Sequence, residues 1–184
     1  SHPISWIVSF LFLSPDGNRH YLRKANETIQ LIGCEISQSR EEAILVHTPY
    51  RDAGRHPLAE IKYMINFTTI TDNQKAIVQT SRDIRDSNNL FHWILQNDTV
   101  RNNRGGGFDV RLPYVWQYNE NYTHTVYVDK CVWTANRYFG LVIGGHFARV
   151  NLTDSLFEDN DGPPGLVSLR GMEKELFILR NVIH

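Results

Sequence analysis

The feature that most constrains this chain is a short motif, a small residue followed by an apolar strand pattern, that occurs five times. The clearest copies read "GLVIGG" from Gly140 and "GLVS" from Gly165. The five small residues, called anchors below, are Ala43, Ala76, Gly107, Gly140 and Gly165. They lie 33, 31, 33 and 25 residues apart. Periods of this length are typical of repeat proteins, in which each unit buries its apolar face only by stacking on its neighbours.

The residues after each anchor have strand chemistry. β-Branched and other apolar residues alternate there, as in Leu141 to Ile143, and helical periodicity is hard to find anywhere. No L-x-x-L-x-L frame recurs, which disfavours leucine-rich repeats, and the unit is short for a propeller blade. We therefore predict an all-β chain folded as a parallel β-helix of about five to six coils, with equivalent residues stacked about 4.8 Å apart.

An asparagine precedes four of the anchors by three to five residues. These asparagines are Asn73, Asn103, Asn136 and Asn160. Asn is favoured in bends because it tolerates left-handed backbone and hydrogen-bonds to its own main chain. We expect each of them to form such a bend, and we expect segments 48–60 and 112–124 to bulge from the coils as loops.

The first residues depart from the repeat. Residues 1–28 combine the apolar run Ile4 to Leu13 with a Pro-Asp-Gly-Asn turn, which predicts an N-terminal hairpin or capping segment. Residues 29–184 are predicted to form the repeats. The apolar run is about half the length that crosses a bilayer. Because the chain also ends inside a strand pattern, we expect it to be a piece of a longer protein, with any membrane attachment outside this chain.

Composition and charge disfavour a function based on electrostatic binding of nucleic acid. The chain is 41% hydrophobic and 21% charged, which is typical of a globular domain with a real core. Its 19 basic and 20 acidic residues give a formal net charge of -1. This balance gives no reason to expect a nucleic-acid partner.

Five glycosylation sequons favour an extracellular location. Their asparagines are Asn26, Asn66, Asn97, Asn121 and Asn151. One sequon means little, whereas five in 184 residues favour secretion. The alternative is that a repeat rich in Asn and Thr produces sequons automatically, above all at Asn66 and Asn97, which are predicted to occupy equivalent repeat positions.

The two cysteines are predicted to be buried free thiols. Cys34 and Cys131 each lie nine residues before an anchor, which places them at one ladder position three coils apart. That separation is on the order of 14 Å, whereas a disulfide needs Cα atoms within about 7 Å. Two cysteines are also too few for a structural zinc site. We expect no metal and no cofactor.

A search for catalytic residues identifies no candidate. Polysaccharide lyases and hydrolases with this fold need clustered acids, but the acids here share no common repeat phase. His47 and His56 flank the first loop without a recognisable partner and are interpreted as ordinary loop histidines. The run "NRGGGF" lacks the residues of a phosphate-binding loop and is interpreted as a tight corner. We therefore expect a protein that is not an enzyme; a carbohydrate-binding module or a carbohydrate lyase or hydrolase is the alternative.

The second loop carries a candidate interaction surface. Its aromatic residues are Tyr114, Trp116, Tyr118 and Tyr122. Exposed Tyr and Trp often anchor interfaces, so these residues are predicted to bind a glycan or a protein. Packing of the loop back on the coil is an equally good interpretation.

Two segments carry a resemblance to a known family. "CVWTANRYFGLVIGG" and "NLTDSLFEDNDGPPGLVSLRGMEKELFILRNVI" resemble the repeats of the bark beetle (Anakonda) family of insect tricellular-junction proteins. The resemblance implies a right-handed β-helix in the ectodomain of a large single-pass membrane protein that organises septate junctions where three cells meet. It brings no catalytic residues. We therefore expect an extracellular module for cell-cell adhesion or junction assembly, whose partners are other cell-surface proteins or further copies of itself. A structural solenoid from a microbe is a third interpretation.

Overall fold

The computed structural model describes residues 8–10, 27–48, 59–81, 89–113, 123–146, 148–161, 165–170 and 175–183. These residues form strands, corners and no helix, so none of their segments is a helix able to cross a membrane. The strands are β1 (Val8–Phe10), β2 (Glu27–Ile32), β3 (Glu35–Ser37), β4 (Glu42–Thr48), β5 (Ala59–Asn66), β6 (Thr69–Thr71), β7 (Lys75–Ser81), β8 (Asn89–Gln96), β9 (Thr99–Arg101), β10 (Phe108–Leu112), β11 (His124–Asp129), β12 (Val132–Thr134), β13 (Leu141–His146), β14 (Ala148–Thr153), β15 (Leu156–Glu158), β16 (Gly165–Arg170), β17 (Glu175–Leu179) and β18 (Val182–Ile183).

The strands form three six-stranded sheets, and each sheet takes every third strand. Sheet 1 has the order β1-β4-β7-β10-β13-β16, sheet 2 the order β17-β14-β11-β8-β5-β2, and sheet 3 the order β18-β15-β12-β9-β6-β3. All the pairings are parallel. The prediction of an all-β chain with parallel strands is confirmed.

The register of sheet 1 aligns four of the five anchors. Ile44 pairs with Ile77, Ile77 with Phe108 and Phe108 with Leu141, so the anchor before each of them lies at one position. The fifth anchor was predicted one residue out of place. Leu141 pairs with Gly165, so Gly165 lies one position beyond Gly140.

Glycine is required at the anchor position of the third repeat. A Cβ on Gly107 would clash with the carbonyl oxygen of Gly140 in the next repeat. Gly106, with a φ of 116°, lies directly against the ring of Phe139. The three glycines of "NRGGGF" thus form a tight corner, as expected.

Two corners recur in the described repeats, and each begins with a left-handed residue. At the first corner, between sheets 2 and 3, these residues are Gly33, Phe67, Asn97, Lys130, Asp154 and Arg180. At the second corner, between sheets 3 and 1, they are Gln38, Asp72, Asn102, Ala135 and Asp159. The residue that follows each of them stacks on its equivalents in the neighbouring repeats.

Aromatic side chains fill the core between the sheets. Trp93 stacks on Tyr63 with ring centroids 4.4 Å apart and meets the ring of Phe108 edge-on at 5.4 Å. Trp133 continues the series, with its ring 6.1 Å from that of Phe157. The indole of Trp93 donates to Gln79 Oε1 over 2.6 Å, which satisfies a donor that is completely buried.

Of residues 1–28, the structure describes 8–10 and 27–28. Strand β1 joins sheet 1 parallel to β4, with Val8 opposite Ile44. The hairpin or cap predicted for this segment otherwise lies outside the described residues.

Candidate interaction and modification sites

A ladder of amides runs through the second corner. Its members are Ser39, Asn73, Asn103, Asn136 and Asn160. The backbone N–H of each of the first four donates to the side-chain Oδ1 of the next, over distances of 2.9 to 3.3 Å. Each Asn side chain also donates from Nδ2 to a backbone carbonyl of the preceding repeat, as Asn136 does to Val100 over 2.9 Å. The ladder therefore ties neighbouring repeats together.

This geometry corrects the role predicted for the four asparagines. They were expected to adopt left-handed backbone and to bond to their own main chain. The left-handed residue is the one before each Asn, for example Asn102 before Asn103. The side-chain amide of each Asn instead forms hydrogen bonds to the main chain of adjacent repeats. The spacing of residues within one repeat does not show these contacts.

A second ladder, with mixed chemistry, runs through the first corner. Its members are Cys34, Thr68, Asp98, Cys131, Ser155 and Asn181. The N–H of Thr68 donates to Asp98 Oδ1 over 2.8 Å, and the N–H of Gln96 donates to Asp98 Oδ2 over 3.0 Å. Asp98 is 1% exposed, and this burial raises its pKa to about 7, although the two N–H groups act in the opposite direction.

The two cysteines occupy equivalent positions of this ladder, three repeats apart. Both are free. Cys131 is fully buried, and burial raises the pKa of its thiol to about 12. Cys34 is only partly buried, which corrects the expectation of two buried thiols. Cys34 lies between β2 and β3, which are the end strands of sheets 2 and 3 in the part of the chain that the structure describes.

The described histidines of sheet 2 serve structural roles. His124 is completely buried: its Nδ1 accepts from the Phe91 N–H over 3.0 Å, and its Nε2 lies 2.9 Å from the Pro113 carbonyl oxygen. His92 Nδ1 contacts Thr125 Oγ1 at 2.8 Å, and burial lowers the pKa of this imidazole. No group of three His, Cys, Asp or Glu side chains within the described residues is placed to hold a metal ion.

Three of the five sequons lie in described residues and differ in accessibility. Asn66 pairs with Gln96, so Asn97 lies one position further along, and the predicted equivalence of Asn66 and Asn97 is wrong. Asn97 is exposed at the first corner. Asn66 is half-buried with its Oδ1 enclosed, and the hydroxyl of its sequon residue Thr68 is buried. Asn151, in β14, also has an enclosed Oδ1.

An apolar stripe crosses the outer face of sheet 2. Met64 pairs with Ile94, and Ile94 pairs with Tyr127. These side chains are half-buried and alternate with fully buried neighbours, so they point away from the core. We call these three residues the sheet 2 stripe. Nearby, the first corner exposes Phe67 (67%), while Ile32 at the end of β2 is 58% exposed.

Phe67 stands out because its corner position is otherwise polar or glycine. Its φ is 53°, a left-handed value that bulky residues rarely adopt. The equivalent residues include Gly33, Asn97 and Lys130. Bulky residues in sparsely populated backbone regions cluster at functional sites, so Phe67 is a candidate contact residue.

The other candidates lie outside the described residues. These are the aromatic residues of the second loop, Tyr114, Trp116, Tyr118 and Tyr122, the sequons at Asn26 and Asn121, and His56. The side chain of His47 is also outside them.

The comparisons with known proteins support the predicted resemblance. The chain resembles Protein bark beetle of Drosophila melanogaster. The two are 47% identical over 161 residues, which are 88% of this chain. The chain spans about 5% of the length of bark beetle. No family profile matches the chain, and no solved structure matches it significantly.

The likeness to bark beetle names no functional residue. Sequence reasoning missed two residues that the structure singles out, the buried acid Asp98 and the exposed Phe67. Asp98 lies nine residues before Gly107, the same spacing that marked both cysteines, so its place on the inner ladder was visible in the sequence. Phe67 gave no signal, because an apolar residue in a strand-rich repeat is expected to be buried.

Proposed function

We propose that the described strands form a right-handed parallel β-helix in which each coil contributes one strand to each of the three sheets. Sheets made of every third strand, with ladders stacked at both corners, support this architecture. The right hand follows from the strong preference of parallel strand connections for right-handed crossovers.

We further propose that this solenoid is an extracellular, glycosylated module for cell-cell adhesion or junction assembly, with septate junctions at three-cell contacts as its location. The sheet 2 stripe carries the proposal. A flat apolar and aromatic row on a rigid outer face is suited to a protein partner, and Phe67 and Ile32 extend the exposed apolar surface. The resemblance to bark beetle and the exposed sequon Asn97 are consistent with it.

The partners we propose are other cell-surface or junction proteins, or a second copy of the chain. Membrane attachment is proposed to come from parts of the longer protein outside this chain. Bark beetle is about twenty times longer than the matched segment, which leaves ample length for other modules.

We propose that the module is not catalytic. The described carboxyl group with the most perturbed pKa, Asp98, is enclosed, and each of its oxygens accepts a backbone N–H. His124 is likewise buried between backbone groups of neighbouring segments. Side chains enclosed by the backbone in this way are not placed to contact a substrate.

Bead binding tests the adhesion proposal. Beads coated with the chain are mixed with one another and, separately, with epithelial cells. We expect either bead-bead aggregation or binding to the cell surface, weakened in the variant Ile94→Thr, which removes apolar area from the sheet 2 stripe. Thr keeps the β-branched shape that strands favour.

The matched control is Leu45→Thr, an outward, half-buried apolar residue on sheet 1. It should leave binding unchanged. Enzymatically deglycosylated chain and an unrelated glycoprotein complete the controls. Beads that bind neither one another nor cells would contradict the proposal, as would equal losses in the two variants.

A further inference from the structure

A mainly basic column of exposed residues follows the amide ladder at the second corner. Its members are three arginines, Arg40, Arg104 and Arg137, the amide Gln74, and the acid Asp161 at its end. Each main-chain N–H from Gln74 onward donates to the ladder residue of the preceding repeat, as Arg104 does to Asn73 O over 2.9 Å and Arg137 does to Asn103 O over 2.9 Å. The backbone of the column is therefore held at the spacing of the repeats, about 4.8 Å.

The three guanidinium groups of this column are available for binding. Arg40, Arg104 and Arg137 are exposed. None of them has an ion-pair partner within the described part of the chain. Arg137 lies over the ring of Tyr138, 5.5 Å from its centroid, and Tyr138 is itself 59% exposed.

The column borders a surface groove of about 560 Å³. Its lining consists of Gln38, Ser39, Arg40, Asp72, Gln74 and Arg104. Asp72 is the acid in this lining, and it accepts a hydrogen bond from the Thr71 hydroxyl over 2.9 Å. Two cations, two amides, a hydroxyl and one carboxylate line the groove, so its wall forms hydrogen bonds and carries a net positive charge.

We propose that this groove and the adjoining column bind an anionic polysaccharide, one that carries sulfate or carboxylate groups along a linear chain. Guanidinium groups bind sulfate and carboxylate through paired hydrogen bonds, and regular spacing suits a repeating polymer. The amides of Gln38 and Gln74 can bond to sugar hydroxyls. The exposed ring of Tyr138 offers an apolar face for the C–H face of a sugar.

A polysaccharide fits these groups better than an acidic peptide does. The column combines charge with amides and an exposed aromatic face, whereas an acidic peptide would need only the charge. The inference does not depend on the adhesion role, because binding is measured on the isolated chain without beads or cells.

The test measures the affinity of the chain for heparin, hyaluronate, neutral dextran and poly-glutamate at 0.1 M NaCl by biolayer interferometry. Heparin presents sulfate and carboxylate groups, and hyaluronate presents carboxylates alone, so the two arms identify the anion recognised. We expect binding to heparin, to hyaluronate or to both, and none to dextran. Absence of binding to both anionic polysaccharides, or poly-glutamate binding that is as tight, would overturn the inference.

Variants locate the site. Arg40→Gln, Arg104→Gln and Arg137→Gln copy the residue found at Gln74, so the corner should tolerate them. Each is expected to weaken binding about two- to five-fold, and the triple variant at least about tenfold, with unchanged circular dichroism. The matched control is Arg111→Gln, which removes an equal charge from sheet 1, where Arg111 pairs with Asp109 at 2.8 Å. Equal losses in the control and in each single variant, which remove the same charge, would show nonspecific charge attraction and refute the site.

Discussion

The amide ladder should dominate the stability of the second corner, and Asn103→Ala tests this. The Asn103 side chain makes four hydrogen bonds: its Oδ1 accepts from the N–H and Nδ2 of Asn73, and its Nδ2 donates to Ile70 O and Asn136 Oδ1. The distances are 2.8 to 3.2 Å, and the residue is completely buried. Truncation removes all four bonds at once.

The expected loss of stability depends on which hydrogen bonds remain after the truncation. Asn73 Nδ2 keeps Ile36 O as a partner, and Asn136 Oδ1 keeps the Asn103 N–H, but the buried N–H of Asn73 loses its side-chain acceptor. An unpaired buried N–H costs about 1 to 3 kcal/mol and each further lost bond about 0.5 to 1.5 kcal/mol. We therefore expect the free energy of unfolding to fall by about 3 to 5 kcal/mol.

Urea unfolding followed by far-UV circular dichroism measures this loss. The control Gln74→Ala, at the next and exposed position, should change the free energy of unfolding by less than about 0.5 kcal/mol. Asn103→Asp keeps the size of the side chain but loses both donors when ionised, so between pH 4 and pH 8 it should lose more stability than the unsubstituted chain does. A loss below about 1 kcal/mol for Asn103→Ala would refute the reasoning, because the bonds would then contribute nothing beyond those to water.

Three further predictions concern the first corner. Because burial raises the pKa of Asp98 to about 7 in the folded chain, its contribution to stability should be full below about pH 4 and be lost as the pH rises to about 7. In urea unfolding at a series of pH values, Asp98→Asn should flatten this part of the stability profile, and an unchanged profile would contradict the prediction. Peptide mass spectrometry after expression in animal cells should find a glycan on Asn97 at higher occupancy than on Asn66, and the reverse order would show that accessibility is misjudged. Iodoacetamide should modify Cys34 in the native chain much faster than Cys131, and Cys131→Ala should lower the free energy of unfolding by about 1 to 3 kcal/mol. Equal rates of modification, or a disulfide-linked peptide containing both cysteines, would refute the register.

The repeat could be predicted from the sequence because only certain residue types fit the anchors and the strands that follow them. Gly107 must be glycine, since the Gly140 carbonyl leaves no room for a Cβ, and the strands must be apolar on one face. These constraints act on single positions, so they appear directly in the sequence and predicted the all-β class and the parallel pairing.

Alignment through the corners was less predictable because corner length varies. Two residues separate Asn73 from Ala76, whereas three separate Asn103 from Gly107. Counting back from the anchors therefore gave Asn66 the wrong equivalent. A one-residue error moves a side chain from a strand to an exposed corner, which changes its accessibility completely.

The contacts between repeats were not predictable from one repeat at a time. At each ladder position the backbone N–H of the preceding ladder residue needs a side-chain acceptor. Several side chains supply one, so Asn, Thr, Ser, Cys and Asp all fit these positions. The burial of Asp98 depends on neighbours about 30 residues away in sequence on either side. The basic column similarly appears only when Arg40, Arg104 and Arg137 are brought together by stacking.

The stacking of the coils underlies every other conclusion, and one distance tests it directly. Spin labels on Arg40→Cys and Asp161→Cys, in a Cys34→Ser and Cys131→Ser background, report the separation of two exposed positions four repeats apart. Ser155 shows that serine fits the ladder position of both cysteines. Double electron-electron resonance should give one narrow distribution centred near about 19 Å between the backbones, after allowance for the label linkers. A broad distribution, or a centre beyond about 30 Å, would contradict the stacked solenoid, since it exceeds six repeat spacings.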